Sequence, residues 1–257
     1  MMEPTNLPTN NQEESVEVEQ LQMYEKPIGE HLQELRKRFL WCFVLVLVAF
    51  FAIASYWSET LVELLSAPVK AKGIQFIYVG LAEALVAQLK VAFIAAVVVA
   101  SPFIIWNIWS FIKPALYDNE KKYVLWFTFA SVILFILGVA FGYMVVFLSA
   151  ITFFVYVGQD IATPMLSISD YVSFLFGFVI PFGLVFEMPI ISFVLARMGL
   201  VTAKSLSTFR KYIVLVIFVV AAFLTPPDVF SQCLMALPML ILYELGIIVV
   251  KIFGKKE

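Results

Sequence analysis

Three glutamates are the residues of this 257-residue chain best placed to do chemistry. Glu34 lies in His31-Leu32-Gln33-Glu34-Leu35-Arg36-Lys37-Arg38, and Glu120 lies in Lys113-Pro114-Ala115-Leu116-Tyr117-Asp118-Asn119-Glu120-Lys121-Lys122. A carboxylate takes a guanidinium through two parallel hydrogen bonds, a fork that an ammonium does not reproduce. If Glu34 and Glu120 converge on one ligand, they select arginine over lysine. Each also has a plainer reading. Glu34 and Arg38 are four apart, a helical surface pair worth about 0.2–0.5 kcal/mol. Glu120 follows a Pro and Asp-Asn turn and suits the first turn of a helix. The third carboxyl, Glu187, sits in Phe186-Glu187-Met188-Pro189 inside an apolar run. An ionisable group at that depth is costly and marks a functional or interhelix contact. Pro189 removes one backbone donor and frees carbonyls in the preceding turn. Gln232 and Thr225 are the expected polar partners of Glu187. Structural packing and the docking of a partner protein stand level for it, ahead of proton transport.

The elements that position these groups are membrane helices. The chain is 62% hydrophobic and 14% charged, far from the near-even apolar share and quarter charged share of soluble domains. A helix needs about 20 apolar residues to cross the ~30 Å hydrocarbon core. Hydropathy predicts six spans: 39–57, 84–112, 123–147, 171–196, 212–224 and 229–250. The uncharged run 123–159 is too long for one crossing, so 148–169 is expected to lie outside the membrane. Spans five and six read as short. Thirteen residues reach roughly 20 Å, and Thr225-Pro226-Pro227-Asp228 then turns the chain back. Such a hairpin either thins the bilayer and recruits partners or hides inside the bundle.

Orientation follows from the bases. Fourteen of the 17 Lys and Arg fall on the side that carries Arg36, Lys113, Arg197 and Lys251. Lys70 and Lys72 lie on the other side, and Lys90 is within span two. Both termini are therefore expected in the cytoplasm. The expected fold is an all-α integral membrane protein with six transmembrane helices, N-in and C-in. Residues 28–252 form its membrane domain and 253–257 a short basic tail. Residues 1–27, with six Glu and one Lys, read as a disordered acidic cytoplasmic tail and not as a cleavable signal.

The two cysteines, Cys42 and Cys233, fall on opposite sides by this topology and give no disulfide or metal signal. His31 is the one histidine, which argues against His-based metal sites and triads. No zinc-protease, nucleophile-elbow or phosphate-loop motif is present. The chain is expected to be no enzyme and to need no cofactor, metal or nucleic acid.

An ordered set of motifs resembles one family. The set comprises the 31–38 segment, Ser66-Ala67-Pro68, Lys113 to Tyr117 with Glu120, Phe186 to Pro189, Phe209-Arg210-Lys211-Tyr212 and Thr225 to Gln232. Over about 28–252 the chain is similar to TatC, the multi-spanning receptor subunit of the twin-arginine protein translocase. The resemblance implies recognition of the twin-arginine signal peptides of folded precursors at the cytoplasmic face, powered by the proton-motive force. It maps the signal-contacting glutamates onto Glu34 and Glu120 and the arginine of the first motif onto Arg36. The intramembrane glutamate maps onto Glu187, the span-six polar position onto Gln232 and the last periplasmic loop's aspartate onto Asp228. It further implies single-span TatB- and TatA-type partners near span five, other TatC copies, surrounding lipid, and a bacterial inner membrane. Near span two the family often has a proline two residues before a glutamate. Here Leu81-Ala82-Glu83 keeps the glutamate, Glu83, without the proline. A rival reading is a proton-coupled small-molecule transporter with Glu187 as its carrier site. The absence of an internal repeat weighs against it.

Overall fold

Apolar runs this long leave the backbone no partner but itself, so they fold as helices. The computed structural model describes residues 28–115, 124–158 and 165–253. By internal contacts the chain divides into two units, 1–43 and 44–257. The described part of the first is helical from Ile28 and belongs to helix α1, Ile28–Tyr56.

Within the second unit the remainder of α1 is followed by α2 (Ser58–Lys70), strand β1 (Gln75–Ile77) and α3 (Glu83–Ile112). Next come α4 (Val124–Phe141), a π-helical stretch (Gly142–Phe147) and α5 (Leu148–Gly158). Strand β2 (Met165–Ser167), α6 (Ile168–Val185), α7 (Met188–Arg197), α8 (Ala203–Leu224) and α9 (Val229–Phe253) complete it. Six helical stretches are long and apolar enough to cross a membrane: Gln33–Tyr56, Glu83–Ile112, Val124–Gly158, Ile168–Arg197, Ala203–Leu224 and Val229–Phe253.

The core lies where α6 packs between α3, α4 and the π-helical stretch, with Phe147, Phe178 and Phe182 fully buried. Small residues let these backbones approach. A Cβ at Gly138 would stand 2.5 Å from the Phe182 carbonyl oxygen, and one at Gly142 would stand 2.9 Å from Phe182 Cβ. From the other side, a Cβ at Gly183 would meet Phe135 at 2.8 Å. At the middle of α6, a Cβ at Gly177 would stand 2.9 Å from the carbonyl oxygen of Leu224, at the end of α8.

Three expectations are corrected. The helix that carries the third span does not end near Phe147. Nothing between Val124 and Gly158 breaks a helix, and the chain runs helical throughout, absorbing one change of register in the π-helical stretch. The fifth span is not a 13-residue helix. It starts at Ala203, where Thr202 and Ser205 form a capping box with bonds of 3.0 and 3.1 Å. Hydropathy stops at Arg210 and Lys211, but a helix does not, so only the apolar part is short. Nor is the sixth span short: α9 runs 25 residues and is packed into the bundle, while α8 turns most of its surface outward. A two-stranded ribbon accompanies the helices, β1 pairing in parallel with β2 and Gln75 standing opposite Met165.

Candidate functional site

In the first unit, the turn between Glu34 and Arg38 closes the i,i+4 pair foreseen from the sequence. Arg38 Nη2 and Nε both donate to Glu34 Oε1, at 2.6 and 3.2 Å. Two positions along a helix are about 200° of rotation, so Arg36, which is exposed, stands on the far face from this pair. Glu120 lies outside the described residues.

The intramembrane site is built by a broken helix. Pro189 has no N–H, so the turn before it loosens between α6 and α7. Phe186 N reaches Phe182 O at 3.1 Å, and Glu187 N bonds three residues back, to Leu184 O at 3.1 Å. This break holds Glu187, 9% exposed, against the neighbouring spans. Ser131 of α4 stands beside its carboxyl group. The Ser131 oxygen accepts from Trp109 Nε1 of α3 at 3.0 Å. Glu187 Oε1 has no partner among the described residues. The expected partners are therefore wrong. Gln232 Nε2 instead donates to Phe218 O at 3.0 Å, and the Thr225 hydroxyl to Ala221 O at 2.9 Å. Both satisfy α8 carbonyls that their own hairpin presents first. Hydropathy smoothed over Trp109 and Ser131; the signal was their N–H and O–H, which need partners in hydrocarbon.

The end of the molecule bearing α2 and the strands is tied by polar groups. Glu83 Oε2 accepts from Val79 N at 2.6 Å and Gly80 N at 3.1 Å, and its other oxygen takes the Ser167 hydroxyl. One carboxylate thereby fixes the approach to α3 and the junction of β2 with α6, without the proline that the family often carries. Pro68 sits inside α2, and two tyrosine hydroxyls, Tyr143 at 3.0 Å and Tyr171 at 2.6 Å, donate to the Leu65 carbonyl in the same turn. Replacing Glu83 with Ala releases three donors at once. Amide hydrogen exchange at Val79 and Gly80 and along β1–β2 is expected to accelerate at least tenfold, while exchange in α6 stays unchanged. Mass-spectrometric exchange in detergent measures it.

At the tip of the last hairpin Asp228 Oδ1 caps α9 by accepting Ser231 N at 2.7 Å. Asp228 Oδ2 and Ser231 Oγ are buried without partners among the described residues. At the hairpin's other end Arg210 forks onto Glu244, with Nε–Oε1 2.6 Å and Nη2–Oε2 2.9 Å. Both cysteines are free thiols. Among the described residues no group of three or more His, Cys, Asp or Glu approaches metal-binding geometry.

This arrangement is known from solved proteins. A crystal structure of the twin arginine translocase receptor TatC superposes with a TM-score of 0.81 at 36% identity, covering 86% of this chain and 98% of that one. The translocase protein TatC of Carboxydothermus hydrogenoformans is 41% identical over 238 residues, 91% of this chain and 98% of its own. That of Helicobacter pylori is 42% identical over 221 residues, 86% of each. The family is a protein-translocase component and not a family of enzymes. The transporter reading finds no support among these relatives. The family model for the Sec-independent protein translocase protein TatC matches residues 30–238, and the chain belongs to that family.

Proposed function

We propose that this translocase subunit is the receptor for twin-arginine signal peptides, with Glu34 and Glu120 receiving the two guanidinium groups at the cytoplasmic membrane surface. Arg36, on the opposite helix face from Glu34, orients the first helix against phosphates or a partner. Both termini lie in the cytoplasm of a bacterial cell, and the six spans lie in its inner membrane, as the excess of bases on one side requires. The acidic segment 1–27 is a solubilising tail. Single-span TatB- and TatA-type subunits dock in the membrane near Glu187, Thr225 and Gln232, other copies of the chain join the complex, and the proton-motive force drives transport. Pro68, Glu83 and Asp228 keep the periplasmic side in shape for these contacts.

The observation that carries this reading is the Arg38 guanidinium already seated on Glu34 at 2.6 Å. The carboxylate accepts that group through Oε1, and an incoming arginine exchanges with Arg38. A charge-assisted bond of this kind is worth about 1.5–3 kcal/mol. Losing it weakens binding by roughly ten- to a hundredfold. The test is binding of a twin-arginine peptide and its twin-lysine version to the purified protein. Wild type is expected to prefer arginine, and Glu34→Ala or Glu120→Ala to erase the preference. Binding by both variants as tight and as selective as that of wild type would overturn the assignment.

A further inference from the structure

Lys72 is the one base in the segment between α2 and β1, and its role is untouched by signal recognition. Gly73, with φ 80°, ends α2 in the left-handed region that glycine tolerates, and Lys72 N closes the turn onto Val69 O at 3.1 Å. The exposed Lys72 ammonium donates to Thr152 Oγ1 on α5. Thr152 spends its own proton on Leu148 O, 2.6 Å away, so its oxygen can only accept. Lys72 makes no ion pair among the described residues, and an ammonium has two further N–H groups to place.

Beside this contact runs an open groove of about 450 Å³, lined by Leu148, Ser149, Thr152, Phe153 and Tyr156. Ser149, Thr152 and Tyr156 are exposed and share one face of α5. Phe153 is fixed by stacking on Phe230 of α9, centroids 3.6 Å apart. Among the described residues no carboxylate lines the groove.

Depth identifies the occupant. The helix starts at Val124, and its first 20 residues cross roughly 30 Å at 1.5 Å each. Leu148 and the turns beyond it therefore lie at the far boundary between hydrocarbon and headgroups, where tyrosine collects and lipid phosphates sit. We propose that Lys72, positioned by Thr152 and joined by the Ser149 hydroxyl, binds the phosphate of an anionic phospholipid whose acyl chain lies along Leu148 and Phe153.

The test uses the full chain in detergent, with lipid adducts read by native mass spectrometry during titration with phosphatidylglycerol or diacylglycerol. Phosphatidylglycerol is expected to bind wild type and Lys70→Gln equally and Lys72→Gln about tenfold more weakly. Thr152→Val is expected to fall between them, and diacylglycerol to bind every form alike. Unchanged retention by Lys72→Gln would overturn the proposal. An equal loss in Lys70→Gln would do so too, because it would mark a diffuse charge effect. So would full displacement of the lipid by millimolar inorganic phosphate, or a lipid-free dimer lost on changing Lys72, which would make the groove an ion site or a contact between copies. Lys72 is exposed, so its replacement leaves folding intact.

Discussion

Gly138→Leu is expected to leave no monodisperse protein, and Gly138→Ala to lower the midpoint of thermal aggregation in detergent by roughly 5–10 °C. The added Cβ would stand 2.5 Å from the Phe182 carbonyl oxygen and 2.9 Å from Phe186 Cβ and Cγ. The first of these is backbone of α6, so no rotamer change relieves it. α4 and α6 must separate, and the contact they surrender includes fully buried Phe182. Two terms oppose each other. Alanine gains at most about 1 kcal/mol of helix propensity over glycine, whereas overpacking costs about 1–3 kcal/mol, and here the obstruction is rigid, so destabilisation wins. Gly158→Ala isolates the propensity term. A Cβ there meets nothing within 4 Å, and the midpoint is expected to hold or rise slightly. Size-exclusion chromatography after heating reads all three variants. If Gly138→Ala tolerated heat as Gly158→Ala does, the α4–α6 interface would not be as close as described.

The location of the spans was legible because hydrocarbon imposes one rule on every residue inside it, and composition alone reveals where that rule applies. The boundaries were less legible, for physical reasons that differ from span to span. The third helix runs beyond Phe147 to at least Gly158, since a helix need not stop where the bilayer does. α8 begins nine residues before its apolar stretch because its Lys and Arg can reach the interface while their backbone stays helical. The β1–β2 ribbon was invisible: three-residue strands separated by 87 residues carry no local periodicity. At the sites, spacing gave the Glu34–Arg38 pair, whereas residue type and motif order marked Glu187 and Glu83 as candidates without showing to what each is joined. Arg210, read as lying just outside span five, and Glu244, inside span six, were both visible as charges, yet their pairing depends on how α8 and α9 align. Motif order across the whole chain, by contrast, was enough to suggest the family that the relatives then established.

Ser131→Ala is expected to destabilise the protein more than Glu187→Gln, by about 2 kcal/mol against under about 1 kcal/mol. Ser131 is fully buried, accepting from Trp109 Nε1 at 3.0 Å with the Glu187 carboxyl beside it. Removing its hydroxyl strands an indole N–H on α3 and a carboxyl at the α6–α7 break, neither of which water can reach. In Glu187→Gln the new side-chain amide still meets the serine, so that variant exchanges one bond for another. An interhelix polar bond is itself worth only about 0.6 kcal/mol on average. Most of the loss in Ser131→Ala is therefore the cost of abandoned groups, a cost that counting bonds would miss. The triple variant Trp109→Phe, Ser131→Ala, Glu187→Leu abandons none, and it is expected to be more heat-stable than Ser131→Ala alone while making fewer hydrogen bonds. The same triple variant removes Oε1 of Glu187, the atom left without a partner among the described residues, so it is expected to lose precursor export while remaining folded. Restored stability with no export would separate the structural use of the chain of bonds from the use of that oxygen in the assembled translocase. Restored stability together with normal export would confine Glu187 to holding three spans together.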